Sequence, residues 1–158
     1  MRRRRRFETV AAQAGVGADK AYGAVSVPIY PTAIYRYDAF GKNRGYDYSR
    51  AENPTRHAAE EALAALEGGV RGVAFSSGMA ATSTVAQLFK AGDHVLCTAN
   101  VYGGTARYFR QVIAAFGLHF STVDTSQLGQ VKEALRAETK MLFVETPSNP
   151  LMIISDLT

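Results

Sequence analysis

From Val70 onward, short apolar runs alternate with stretches that carry a helical period, and no other feature restricts the fold of the chain as much. The runs are Val73-Ala74-Phe75, His94 to Thr98, Leu118 to Val123 and Met141 to Val144, with starts roughly 23 residues apart. That interval holds one strand, a short helix and two loops. The pattern therefore predicts successive βα units and an α/β fold with a mainly parallel sheet. The stretches between the runs place Ala81, Val85, Leu88 and Phe89 on one predicted helix face. The next helix carries Tyr108, Val112, Ala115 and Phe116, and the third carries Leu128, Val131 and Leu135. Lys132, Glu133 and Arg136 mark the third as a surface helix, whereas Gly78 to Ala86 is small and weakly polar all round, as suits a helix packed on several sides.

A helix with clear punctuation precedes the sheet. Asn53 can cap it, Pro54 suits its first turn, Ala59, Ala62, Leu63 and Leu66 form an apolar face, and Gly68-Gly69 ends it. Further upstream, Tyr22 to Tyr37 mixes prolines, a glycine and tyrosines, and Gly41 to Arg50 is polar without a sustained period. The first 52 residues thus read as an extended arm with little core of its own, and residues 53–158 as part of one larger domain.

The formal charge of +4 suggests nucleic acid, but five of the eighteen basic residues are Arg2 to Arg6, and without those five the charge is −1. With no aromatic residues interleaved and no second basic cluster, the run reads as a solvated tail and nucleic acid is not an expected partner. No apolar run approaches the roughly 18 residues of a membrane span, and Met1 to Phe7 lacks the apolar segment of a secretory signal, so a cytoplasmic location and no membrane partner are expected. The lone Cys97, inside an apolar run, reads as a core residue. His57, His94 and His119 have no ligand-like partner at helical spacing and read as surface or strand-edge residues, with no metal expected.

Chemistry-bearing residues gather at the strand ends. In Val73-Ala74-Phe75-Ser76-Ser77-Gly78-Met79-Ala80 a strand hands over to a helix whose free amides can bind an anion such as phosphate, although a glycine there can also simply make a turn. The second run ends in Tyr102-Gly103-Gly104-Thr105 and the fourth in Glu145-Thr146-Pro147-Ser148-Asn149-Pro150. Parallel strands bring these ends to one edge, where open α/β sheets place ligands. Tyr102 can lay its ring on a planar cofactor or pack on a neighbouring helix. Tyr48 and Arg50, two residues apart in an extended segment, point to one side and can hold a phosphate together, the alternative being a solvated arginine.

Taken in order, Tyr48-Ser49-Arg50, Asn53-Pro54-Thr55-Arg56, Leu66-Glu67-Gly68-Gly69, Ser77-Gly78-Met79-Ala80, Tyr102-Gly103-Gly104-Thr105 and Glu145 to Pro150 resemble the pyridoxal-phosphate-dependent Cys/Met metabolism (trans-sulfuration) family. That family includes cystathionine γ-synthase, cystathionine lyases, methionine γ-lyase and O-acylhomoserine sulfhydrylases. The resemblance implies the amino-terminal arm and first half of the large domain of a fold-type-I pyridoxal-phosphate enzyme, with pyridoxal 5′-phosphate as cofactor, a small amino-acid substrate and a homo-oligomer, a dimer of dimers when complete. It implies that Ser77, Gly78 and Met79 hold the cofactor phosphate and that Tyr102 stacks on the pyridine as the catalytic candidate. It further implies that Tyr48 and Arg50 reach the phosphate of a neighbouring subunit, and that Asn149 lies near the ring hydroxyl with Glu145 at the adjacent strand end.

The family's Schiff-base lysine, the aspartate that pairs with the pyridine nitrogen and the arginine that grips the substrate carboxylate are expected beyond Thr158, so the chain by itself is expected to be inactive. Asp156 aligns with a different aspartate of the family. The implied reaction is elimination or replacement at the γ- or β-carbon of cystathionine or O-acylhomoserine-type amino acids. Methionine γ-lyases carry a cysteine where Gly104 stands, and Arg107 reads either as a substrate-carboxylate contact or as a solvent-facing helix residue. A non-catalytic interaction piece is the alternative of a different class. A dinucleotide-binding domain is disfavoured, since Ser76-Ser77-Gly78-Met79 is not a Gly-x-Gly-x-x-Gly turn.

Overall fold

The computed structural model describes residues 6–17 and 19–158. Arg2 to Arg5, most of the basic run read as a solvated tail, lie outside the described residues. The chain divides into two compact units, Met1–Ala74 and Phe75–Thr158.

In the first unit a short helix α1 (Phe7–Ala12), which the sequence pattern does not predict, packs against α2 (Pro54–Glu67). The ends of α2 are where local chemistry puts them. Asn53 has extended backbone and accepts the Thr55 amide at 2.9 Å, and Pro54 occupies the first turn, where no amide is needed. Gly68 closes the helix with a left-handed φ of 64°, a conformation that costs glycine little. The packed face differs from the expected one: Ala58 is buried with Ala62 and Leu66 partly buried beside it, while Ala59 and Leu63 are exposed. Between α1 and α2 lies an apolar groove of about 320 Å³. The arm folds back on itself through an antiparallel bridge between Ile34 and Tyr48, with the Tyr35 amide on Asp47 O at 3.0 Å and the Ser49 amide on Ala33 O at 2.9 Å. It carries little core, since Tyr22, Ile29 and Phe40 are almost fully exposed.

The run Val73-Ala74-Phe75 forms no strand, contrary to the sequence pattern. A strand needs a neighbour to complete its ladder. Here the Ala74 amide donates instead to Glu60 Oε1 at 2.8 Å, and Val73 and Phe75 are exposed.

The second unit is built on a three-stranded parallel sheet in the order β2-β1-β3, from β1 (His94–Thr98), β2 (His119–Val123) and β3 (Thr139–Phe143). The three runs predicted as strands here do pair, within a residue or two of their expected ends. All five residues of β1 are buried because it is central, and alternate side chains serve opposite faces. Val95 packs with Ala86, Phe109, Ile113 and Leu118, whereas Leu96 packs with Val123 and Val131. The first of these faces is covered from α3 (Gly78–Ala86) and from α4 (Gly103–Arg107) with its continuation, the second from α5 (Leu128–Ala134). Of the residues expected on the packed face of the first helix, Phe89 does pack on this core, whereas Val85 and Leu88 are exposed and Ala86 is buried in their place.

Past Arg107 the helix widens into a π turn (Tyr108–Val112) and tightens into a 3₁₀ turn (Ile113–Phe116). The buried line of this segment runs through Thr105, Phe109 and Ile113 at regular four-residue spacing, one residue along from the expected Tyr108 and Val112, with Tyr108 itself partly buried against the core. Phe109 and Ile113 enter the core, with Phe109 stacked on Phe120 at 5.1 Å, while Val112 and Phe116 face outward. His94 also departs from expectation, being buried rather than on the surface. Its ring is accommodated because Nδ1 pairs with Thr139 Oγ1 at 2.8 Å and Nε2 with Ser121 Oγ at 2.7 Å, and burial holds its pKa below the ordinary histidine value. His57 and His119 are exposed, as read.

Candidate functional site

Because β1 and β3 run parallel as neighbours, their carboxyl ends deliver Thr98 and Glu145 to the same edge. The Glu145 amide donates to Thr98 Oγ1 at 3.2 Å, and Thr98 Oγ1 lies 3.1 Å from Thr125 Oγ1, which is 2.6 Å from Ser155 Oγ. These buried hydroxyls stitch three chain segments behind the edge. In front of it, Glu145 Oε2 accepts the Tyr102 amide at 2.8 Å, so the carboxylate anchors the loop that leads into α4.

The start of α3 supplies a different chemistry. Ser77, with extended backbone, caps the helix by accepting the Ala80 amide at 3.1 Å. The amides of Gly78 and Met79, in the first turn, have no carbonyl one turn earlier to bond. A Cβ built on Gly78 would meet nothing within 4 Å, so the space beside this first turn is open, and both residues line a cavity there. Thr105 Oγ1 reaches Met79 Sδ at 3.7 Å and Tyr108 Oη reaches Ser83 O at 3.5 Å, which ties α4 and its continuation to α3.

Between these elements lies a cavity of about 390 Å³, within the roughly 300–1,000 Å³ usual for small-molecule sites. Ser77, Gly78, Met79 and Thr82 line it from α3, Tyr102 and Thr105 from α4 and its cap, and Phe143 and Glu145 from the end of β3. The Tyr102 side chain remains 60% exposed, leaving ring surface for a ligand. Four of the site residues expected from sequence, Ser77, Gly78, Met79 and Tyr102, therefore share one cavity. Asn149 stands outside this lining and is exposed. Its loop is anchored through the neighbouring Ser148, which is fully buried and bonded to Met152 and Ile153. Arg107 is likewise exposed and outside the lining.

Thr82, Thr105 and Phe143 were not singled out from sequence. Thr82 follows Gly78 by four residues, so the helical period places it on the face of the phosphate-binding start, a signal that could have found it. A slightly larger groove of about 410 Å³ runs along the edge strand β2 beside Arg110, away from the start of α3. Cys97 sits fully buried on β1, where burial first and the Glu145 charge second push its thiol up to about 12, so it is no nucleophile.

Tyr48 and Arg50 belong to the first unit. The extended segment that would align them is in fact a turn, with the amides of Ala51 and Glu52 both bonded to Tyr48 O. The turn brings them together, the Arg50 guanidinium 5.0 Å from the centre of the Tyr48 ring. Arg50 also lines a polar recess of about 240 Å³ with Arg56 and Arg71, in which Arg56 is held by Ala51 O and Glu60.

Two open amides at a helix start suit a phosphate, and the exposed Tyr102 ring beside them suits a planar heterocycle, so the residues present fit pyridoxal phosphate. A parallel α/β sheet with this edge is of the class that takes a phosphorylated small molecule at its carboxyl ends. The chain belongs to the family of Cys/Met metabolism pyridoxal-phosphate-dependent enzymes, whose model matches residues 8–158. Its fold is that of the amino-terminal part of fold-type-I pyridoxal-phosphate enzymes.

The chain is 48% identical over 151 residues to cystathionine beta-lyase of Lactococcus lactis subsp. cremoris (strain MG1363), covering 96% of this chain and 40% of the relative. It is 47% identical over 151 residues to cystathionine gamma-lyase of Bacillus subtilis (strain 168), with the same coverages. The crystal structure of cystathionine gamma synthase from Xanthomonas oryzae pv. oryzae in complex with cystathionine superposes with a TM-score of 0.85 at 39% identity, over 96% of this chain and 40% of that one. The chain thus spans about 40% of the length of the curated relatives it matches.

Proposed function

We propose that the chain is the amino-terminal, cofactor-phosphate-binding part of a trans-sulfuration enzyme that eliminates or replaces a γ- or β-substituent on cystathionine or O-acylhomoserine-type amino acids. The observation that carries this reading is the shared cavity in which the open amides of Gly78 and Met79 stand with the Tyr102 ring. On this reading Ser77 fixes the start of α3, Gly78 and Met79 donate to the phosphate, and the α3 dipole favours its charge. Tyr102 covers the ring and keeps water from one face, while Glu145 holds the Tyr102 main chain in place. Pyridoxal phosphate, when bound, supplies the electron sink that lets bonds next to the amino-bearing carbon break.

Tyr48 and Arg50 are read as donors to the phosphate of another copy in a homo-oligomer, and Asn149 as a contact to the cofactor ring. The arm at 1–52 and the partial large domain at 53–158 follow from the same reading, as does a cytoplasmic location. Among the described residues no helix is long and apolar enough to cross a membrane.

The test is direct. Incubated with pyridoxal phosphate, the chain should bind it weakly, more tightly than pyridoxal without its phosphate. Borohydride reduction followed by peptide mapping should show no single lysine labelled stoichiometrically among Lys20, Lys42, Lys90, Lys132 and Lys140. Cystathionine and O-acylhomoserines should not be turned over. Stoichiometric labelling of one lysine together with turnover would overturn the reading of a part without its catalytic lysine. Equal affinity for pyridoxal and its phosphate would overturn the phosphate site.

A further inference from the structure

The Tyr102 ring lies against a residue that has no side chain. An ideal Cβ built on Gly104 would overlap Tyr102 Cε1 and crowd Cδ1 and Cζ at 3.1 Å. The neighbouring Gly103 is different, since a Cβ there meets nothing within 4 Å. Neither glycine lies in the left-handed region, so alanine is compatible with the backbone at both positions and favours the helix. Gly104 is therefore not a requirement of the backbone. What it provides is the space that the ring occupies.

The main chain of Tyr102 is independently fixed by Glu145 Oε2. With the amide anchored, the ring has freedom only about its side-chain torsions, and a group at position 104 would swing it. Because the ring is 60% exposed, swinging costs the fold little. We propose that Gly104 is a positioning residue for Tyr102: the lack of a side chain at 104 sets where the aromatic face stands over the cavity, and thereby how tightly a planar ligand is held there. The part of this inference that concerns the ligand rests on the reading of the cavity as a pyridoxal-phosphate site; the part that concerns the ring does not.

The chain contains no tryptophan, so Tyr102→Trp installs a unique fluorescent reporter at the ring position. In that background, Gly104→Ala should change acrylamide quenching by roughly twofold or more and shift the emission maximum, as a moved and differently exposed ring requires. Gly103→Ala should leave both unchanged. With Tyr102 restored, Gly104→Ala should lower affinity for pyridoxal phosphate roughly 3- to 10-fold, as expected for a lost or misplaced aromatic contact, while affinity for inorganic phosphate stays constant. Circular dichroism should show both alanine variants folded.

A reporter that does not respond to Gly104→Ala, or that responds equally to Gly103→Ala, would overturn the proposal. So would a parallel loss of pyridoxal phosphate and inorganic phosphate binding, which would place the effect at the α3 start. If the unmodified chain binds no pyridoxal phosphate, the cavity reading fails, and the fluorescence comparison still decides the role of Gly104.

Discussion

Replacing Asn53 with alanine removes, at one position, the cap of α2 and the knot that ties the arm to it. Asn53 Oδ1 accepts the Thr55 amide at 2.9 Å, and Nδ2 donates to Tyr30 O and Tyr35 Oη, both at 3.1 Å, and to Ser49 Oγ at 3.0 Å. Loss of the cap costs about 1 kcal/mol. The two N–H groups that serve the three arm acceptors contribute about 0.5 kcal/mol each, the lower end of the usual range because the site is only half-buried. The sum is about 2 kcal/mol, or roughly 4–8 °C in Tm for a chain of this size. Asn53→Asp separates the two halves, since it keeps the capping acceptor and loses the donors, and should cost about 1 kcal/mol. Thermal unfolding followed by tyrosine near-ultraviolet circular dichroism reads both, because Tyr30 and Tyr35 report the arm. An alanine variant no less stable than the aspartate variant would refute the cap assignment, and a wild-type Tm in both would refute the whole accounting.

Three further outcomes are expected. Arg50→Ala should weaken pyridoxal-phosphate retention in the assembled enzyme by about 1.5–3 kcal/mol, a charged donor lost from a phosphate, and an unchanged Kd by absorbance titration would return Arg50 to the solvated surface. His94 has its folded pKa depressed by burial, so the unfolded state takes up its proton more readily; stability from neutral His94 should be complete above about pH 6.5 and decline as the pH falls below it. Urea midpoints at pH 7.5 and 5.5 measure this: the parent midpoint should fall between them and that of a His94→Gln variant should fall less, and an equal fall in both would refute the assignment to His94. Cys97, with its thiol pushed up to about 12 and no exposed surface, should stay unreactive toward a disulfide reagent at pH 8 until denaturant is added, so rapid modification of the folded chain would contradict its burial.

The features legible from sequence are those governed by chain neighbours. Asn53, Pro54 and Gly68 announce the ends of α2 because capping and left-handed closure involve residues within one turn. The three paired strands are legible because each is a short apolar run bounded by polar or glycine-containing stretches, although only the central β1 is buried along its whole length, and Ser77-Gly78-Met79 is legible because a helix start exposes its own amides. The tertiary structure decided what depends on partners distant in sequence. Val73 to Phe75 has the composition of a strand and is none, because a ladder needs a neighbour and its amide at Ala74 goes to Glu60. The bond from Tyr102 to Glu145 spans 43 residues, and the Thr98, Thr125 and Ser155 hydroxyls meet only after β1 and β2 are paired and the chain has returned past β3. The same holds for the helix that follows Tyr102, where the buried line runs through Thr105, Phe109 and Ile113 rather than Val112 and Phe116: a helical period admits either face, and the sheet side chains Phe120 and Phe143 that Phe109 packs against are brought there only by the tertiary structure.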